Sequence, residues 1–332
     1  MSMQHSHILP LKVALIVPCF AAAVGIAFLI SRDFPVLNAV VISACGAAVL
    51  AGMLILGSDK SLEYLQHVLS ANPLWVLAII VSLCGVYSIY STATNTSGMR
   101  ALLMIALYLS MPFVLLANQR GDARGSWLDA VAILWIWLPL ELGILRRLLA
   151  LSVTRPDFHY VFAEGLAINV GIIAFGAWRR LRGIGYRFEV SRRILATSVL
   201  SFVLFALIAI PLGLSIHFIR YSFELQKLLF APAAFLGIFL FTAIPEELLF
   251  RGLIQNWFER RAVRPILSLL IASVVFGASH LNNGPPIPNY KYFLLATIAG
   301  LFYGWTWKQT GSLTASAITH ALVDTAWSVL FR

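Results

Sequence analysis

The stretch Phe241-Thr242-Ala243-Ile244-Pro245-Glu246-Glu247-Leu248-Leu249-Phe250-Arg251 sets two adjacent carboxylates and an arginine inside a long apolar run, Leu228 to Ile254. A run of this length crosses the ~30 Å hydrocarbon core of a bilayer as a helix, which takes about 20 residues. A charge there costs roughly 2.5–3.5 kcal/mol on insertion scales. Three ionisable groups packed so closely must therefore face protein or a wet cavity, and they need partners. Two later stretches offer them: Phe276-Gly277-Ala278-Ser279-His280 and His320-Ala321-Leu322-Val323-Asp324, each inside its own apolar segment.

The composition places the whole chain in the same setting. Of 332 residues, 60% are hydrophobic and 11% charged, with a mean hydropathy of +0.87. Soluble domains carry about 25% charged residues, so the chain reads as a polytopic membrane protein. The net charge of +10 comes mostly from arginine clusters between apolar runs. Such clusters mark cytoplasmic loops, and no nucleic-acid partner is read from them. Cys19, Cys45 and Cys84 all lie in apolar runs, without disulfide or zinc spacing.

Eleven apolar runs follow one another: 11–30, 36–56, 74–92, 101–117, 127–145, 160–178, 194–214, 228–254, 266–281, 293–307 and 313–331. The first reads as an uncleaved span rather than a signal peptide, because a second run follows at once. Residues 57–73 read as a mixed, partly amphipathic connection. The sixth run is the weakest, interrupted by Glu164 and Asn169. Continuous rather than alternating apolarity excludes strands. The expected fold is an all-α polytopic transmembrane helix bundle of about ten or eleven spans. The basic connections Arg179–Arg193 and Arg260–Arg264 fall on one side, assigned to the cytoplasm. On that orientation Arg146, Arg147 and Arg155 fall outside, against the rule. A boundary near the basic connection divides residues 1–190, an N-terminal transmembrane region of unassigned role, from 191–332, which holds the motifs.

Helical spacing sorts the charged residues. Glu247 and Arg251 stand at i and i+4, share a face and can pair, while Glu246 points about 100° away. His320 and Asp324 repeat the spacing, as do Phe276 and His280. Counted from the nearest helix ends at ~1.5 Å per residue, Glu246, His280 and His320 lie ~18, ~24 and ~14 Å deep, so modest tilts let them share one layer. A carboxylate in a dry site suits a general base acting on water. Two imidazoles and a carboxylate also form a common zinc ligand set with an open position for water. In the other route the glutamate alone activates the water and the histidines stabilise the oxyanion. The residues leave both routes open.

Glu246-Glu247 with Arg251, Phe276 with His280, and His320 with Asp324 together resemble the motif set of the CPBP family. These intramembrane proteases include the type II CAAX prenyl endopeptidases and bacterial proteins linked to bacteriocin processing or self-immunity. The resemblance covers roughly residues 195–331. It implies an intramembrane endopeptidase acting on a membrane-associated or lipidated protein or peptide. It also implies Glu246 as water-activating base and His280 and His320 as ligands or oxyanion stabilisers, with Glu247 and Arg251 in support. Glu246, His280 and His320 are then the tentative ligands of a divalent metal such as zinc. Asp324 departs from the asparagine expected in the CAAX endopeptidases. The bacterial cytoplasmic membrane is the expected host, from the family's breadth. Two other functions fit buried Glu, His and Asp on several helices: a proton-coupled transporter, and a non-catalytic scaffold or immunity protein. Against the transporter, no inverted repeat is visible. Trp135, Trp137, Phe302, Tyr303, Trp305 and Trp307 read as interface or lipid-facing packing, and Glu141 and Glu164 as interfacial or packing carboxylates.

Overall fold

The computed structural model describes residues 7–8, 11–122, 124–145 and 156–332. Arg146, Arg147 and Arg155, the basic residues at odds with the orientation rule, lie outside the described residues. Among those described, twelve helices carry the chain, and the fold is an all-α polytopic bundle. The chain forms two compact units that part between Arg182 and Gly183.

The N-terminal unit holds α1 (Leu11–Ile30), α2 (Val36–Leu56), α3 (Asp59–Ala71), α4 (Trp75–Ala93), α5 (Met99–Leu116), α6 (Trp127–Glu141) and α7, which runs from Pro156–Gly171 into a π-wound end, Ile172–Trp178. The mixed stretch 57–73 is thus a helix, with acidic Asp59 in its first turn. The weak sixth run, now α7, is largely buried, and its polar residue is used. Asn169 donates to the carbonyls of Val49 at 2.9 Å and Gly165 at 2.8 Å, so a side chain that breaks the apolar pattern ties α7 to α2. Helix α6 opens with a capping box in which Ser126 and Asp129 exchange side-chain and backbone bonds.

Asp129 does more than cap. It is fully buried beside Arg179, another fully buried side chain. Arg179 donates from Nε to Asp129 Oδ1 at 2.9 Å and from Nη2 to Oδ2 at 3.2 Å. The same guanidinium reaches the carbonyls of Asp122 at 2.6 Å and Arg124 at 2.8 Å. From the sequence Arg179 reads as part of an exposed basic loop. The structure withdraws it, because three backbone or carboxylate groups converge on its planar fork.

The C-terminal unit holds α8 (Arg192–Ser215), the 36-residue α9 (Leu225–Arg260), α10 (Pro265–Ala278), α11 (Tyr290–Thr310) and α12 (Leu313–Leu330). Helix α11 packs against α8, α10 and α12, while α9 packs against α10 and α12. The α10–α11 approach is close: a Cβ on Gly277 would clash with Thr297 Oγ1 and stand 2.7 Å from the Phe293 carbonyl oxygen. Gly311 ends α11 at φ +67°, a left-handed turn that glycine adopts without strain, and α12 starts two residues on.

Seven helices among the described residues are long and apolar enough to cross a membrane: α1, α2, α4, α5, α7, α8 and α9. A chain with seven such helices is an integral multi-pass membrane protein. The remaining apolar runs are helices that are shorter or more polar. Helix α6 has 15 residues and α10 has 14. Helix α12 buries Thr314, Ser316, Thr319 and His320 against protein, so its polarity is spent inside the bundle rather than in lipid.

Candidate active site

Helix α9 supplies the first part of the site through irregular winding. Two π-wound stretches, Phe239–Ala243 and Leu248–Gln255, flank a single α-turn, Ile244–Glu247. Pro245 gives no amide proton to the preceding turn, which accounts for wider winding just before it. Single π turns often coincide with functional positions; here they flank Glu246 and Glu247.

Glu247 is fully buried and fully engaged. Its Oε1 accepts from Arg251 Nη1 at 3.1 Å and from His320 Nδ1 at 2.8 Å, and Ser316 Oγ donates to its Oε2. Arg251, also buried, donates from Nη2 to the Gly300 carbonyl at 3.1 Å. Its guanidinium carbon lies 4.6 Å from the Phe276 ring centre and 5.3 Å from that of Tyr303. Aromatic faces are a favourable surface for a desolvated cation.

Glu246 contrasts with its neighbour. Its side chain is 28% exposed. Its Oε2 is inaccessible to solvent and has no hydrogen-bond partner among the described residues; it stands 3.8 Å from His320 Nε2. Asp324 Oδ2 lies 3.4 Å from the same nitrogen. A proton shared between His320 Nε2 and Asp324 Oδ2 relieves the repulsion that bare lone pairs would meet at this distance. His320 is held by its environment on every side. Its ring stacks on Tyr303 at 4.5 Å and 17° and meets Phe276 edge-on at 5.8 Å.

His280 comes from the end of α10. The helix stops at Ala278, so His280 sits in the following turn, not on the helix as its i,i+4 spacing from Phe276 predicts. Its Nδ1 lies 2.8 Å from the Phe276 carbonyl, which fixes Nδ1 as donor and leaves Nε2 to the cavity. The loop beyond is tied by Asn289, which caps α11 through Tyr292 N and donates to the Asn283 carbonyl at 3.0 Å.

These groups meet in one cavity of about 320 Å³ within the C-terminal unit. Glu246, His280, His320 and Asp324 line its polar corner, and Phe202, Phe205, Phe218, Tyr292, Leu295 and Trp327 are among its apolar walls. Glu247 and Arg251 stand behind the polar corner. Each imidazole is anchored through Nδ1, an orientation common to metal-binding histidines. Yet among the described residues no three His, Cys, Asp or Glu side chains gather as a metal-holding group. No step is routed through an ion.

One contributor carries no mark in the sequence, and several aromatic residues sit differently from their sequence reading. Ser316, four residues before His320 on α12, carried no signal beyond that spacing. Tyr303 reads as interfacial from sequence but is buried against His320, because α11 has neighbours on several sides and leaves this ring no lipid face. Trp307 is likewise buried and donates to the Ile184 carbonyl at 3.3 Å, and Trp135 donates to the Tyr108 carbonyl at 3.1 Å. Glu141 accepts from Trp137 Nε1 at 3.1 Å at an exposed position.

Comparison with known proteins agrees with this picture at the level of family. No curated protein and no solved structure matches the chain. Residues 227–326 match the family model described as Rce1-like, type II CAAX prenyl endopeptidase Rce1-like. The matched span runs from the start of α9 to near the end of α12 and contains every motif residue of the cavity. The match over residues 227–326 supports a CPBP-family intramembrane protease.

Proposed function

We propose that the chain is an intramembrane endopeptidase that hydrolyses a peptide bond of a membrane-associated or lipidated protein or peptide, with Glu246 as the base. The observation that carries this reading is the inequality of two adjacent carboxylates. Glu247 accepts three hydrogen bonds, while Glu246 Oε2 has no hydrogen-bond partner among the described residues and the residue lines the cavity. A carboxylate spared by its neighbours in a confined, polar corner is suited to take a proton from water.

In the proposed step a water in the cavity gives its proton to Glu246 and its oxygen attacks the carbonyl carbon. His320, carrying protons on both nitrogens, donates Nδ1–H to Glu247 and Nε2–H towards the developing oxyanion. His280 Nε2 accepts a hydrogen bond from the water and helps to place it. As the tetrahedral species collapses, the carbon–nitrogen bond breaks and the proton held by Glu246 passes to the leaving amine. Asp324 shares the proton at His320 Nε2 in the resting site. The apolar walls suit a substrate that arrives from lipid, and the family description supports a prenylated CAAX terminus as the substrate class to try first.

The test compares membranes carrying equal amounts of wild type and Glu246→Gln, by mass spectrometry of protein termini. Termini that form only with wild type are expected, and they identify the substrate. Identical termini in both would overturn the reading.

A further inference from the structure

We infer that Ser316 is a positioning residue for the site, acting through Glu247 to hold His320 with Nε2 turned into the cavity. The inference rests on the reading of Glu246 as base, and it concerns a residue outside the three motifs.

Ser316, His320 and Asp324 repeat at four-residue intervals along α12, so they form one stripe facing α9. Ser316 is fully buried. Its hydroxyl lies against Glu247 Oε2 and 2.8 Å from the Tyr303 carbonyl. A serine carries one hydroxyl proton. The carboxylate is the stronger acceptor, so that proton goes to Glu247.

Without Ser316, Glu247 is bound only through Oε1, where Arg251 and His320 both arrive. Both of these partners approach the same oxygen, and two contacts at one atom let the carboxylate pivot about Oε1 through small changes in the torsions behind it. The Ser316 contact on Oε2 removes that freedom. The plane of Glu247 then sets the direction of His320 Nδ1–H, and the Tyr303 stack sets the plane of the ring. His320 Nε2 is left with one heading, towards Glu246 and Asp324. Groups that orient metal-bound histidines typically change activity 10–100-fold when removed, and an imidazole oriented in the same way is expected to respond on that scale.

Full-length wild type, Ser316→Ala, Ser316→Thr and Glu246→Gln are reconstituted in vesicles. Their rates are followed on the peptide spanning the wild-type-specific cleavage site. Per folded protein, Ser316→Ala is expected to lose about 10–100-fold in kcat with KM little changed, and its pH–rate profile is displaced from that of wild type. Ser316→Thr, which keeps the hydroxyl, recovers most of the rate. An unchanged kcat and pH profile in folded Ser316→Ala would overturn the inference, as would a loss that merely follows the loss of folded protein. Glu246→Gln separates the two readings. If it is inactive while Ser316→Ala is normal, only the positioning role fails. If Glu246→Gln cleaves like wild type, or wild type yields no termini of its own, both fail.

Discussion

Arg179 in the N-terminal unit and Arg251 in the C-terminal unit are both withdrawn from solvent and both paired to a carboxylate, Asp129 and Glu247. Around Arg179 the account closes. Nε and both terminal nitrogens find acceptors, and Asp129 is bound by its own helix cap as well. Around Arg251 it stays open. Its Nε has no hydrogen-bond partner among the described residues, Glu246 Oε2 has none either, and Glu246 lines a cavity. A buried pair by itself is weak evidence for a purpose, since desolvation can cost as much as attraction returns. The difference lies in what surrounds it: the first pair is a lock between segments, and the second leaves polar groups unspent beside a space that a ligand can enter.

Four measurements would break or sharpen this contrast. The largest effect is expected at the unspent group. Glu246→Gln should lower turnover by roughly 10²–10⁴-fold, the range for general acid–base catalysis, with its thermal midpoint unmoved; comparable turnover would erase the distinction. Next comes Asp129→Ala, which strands Arg179 and should cost about 3–5 kcal/mol of stability. Chemical unfolding in detergent reads the loss, and turnover per folded molecule should stay at the wild-type level.

Replacing both partners is subtler. Asp129→Leu with Arg179→Met should be less damaging than Asp129→Ala alone, because no charge is left stranded. Glu247→Leu with Arg251→Met should also fold, yet show no turnover, since His320 loses its anchor. Equal activity in the two double variants would mean that the second pair is merely structural. The smallest effect belongs to Lys308→Ala. Its bond to Glu259 spans 3.1 Å between side chains that are 28% and 25% exposed, and its loss should cost only ~0.2–1 kcal/mol in the same unfolding assay.

Much of the C-terminal unit is legible because charges in an apolar run are scarce and their spacing is informative. The Glu247–Arg251 pair follows from i,i+4 geometry alone. What spacing cannot give is the partner helix. It orders residues around one axis but does not say which face meets which neighbour. Ser316 shows the limit, since a serine in a membrane helix looks the same whether it bonds its own backbone or a carboxylate on another helix. Tyr303 shows it again: a belt aromatic and a buried one are identical in sequence, and only the neighbours of α11 decide. Arg179 fails for a third reason. At the end of a span, positive charge is ordinary, so nothing marks the one arginine that turns inward. His280 lies where a helix ends two residues earlier than its pattern suggests, and helix ends are the least determined part of any pattern.

The cavity that Glu246 lines has a consequence for what can be cut. In a helix each backbone carbonyl is bonded to an amide one turn on and covered by the side chains of its own turn. For the proposed hydrolysis, a helical segment must therefore uncoil before its backbone reaches Glu246. Frayed ends and chain termini are already uncoiled, whereas the middle of a spanning helix would have to break several hydrogen bonds in a medium that offers no replacements. Selectivity would then begin with the cost of unwinding, before any side chain is recognised.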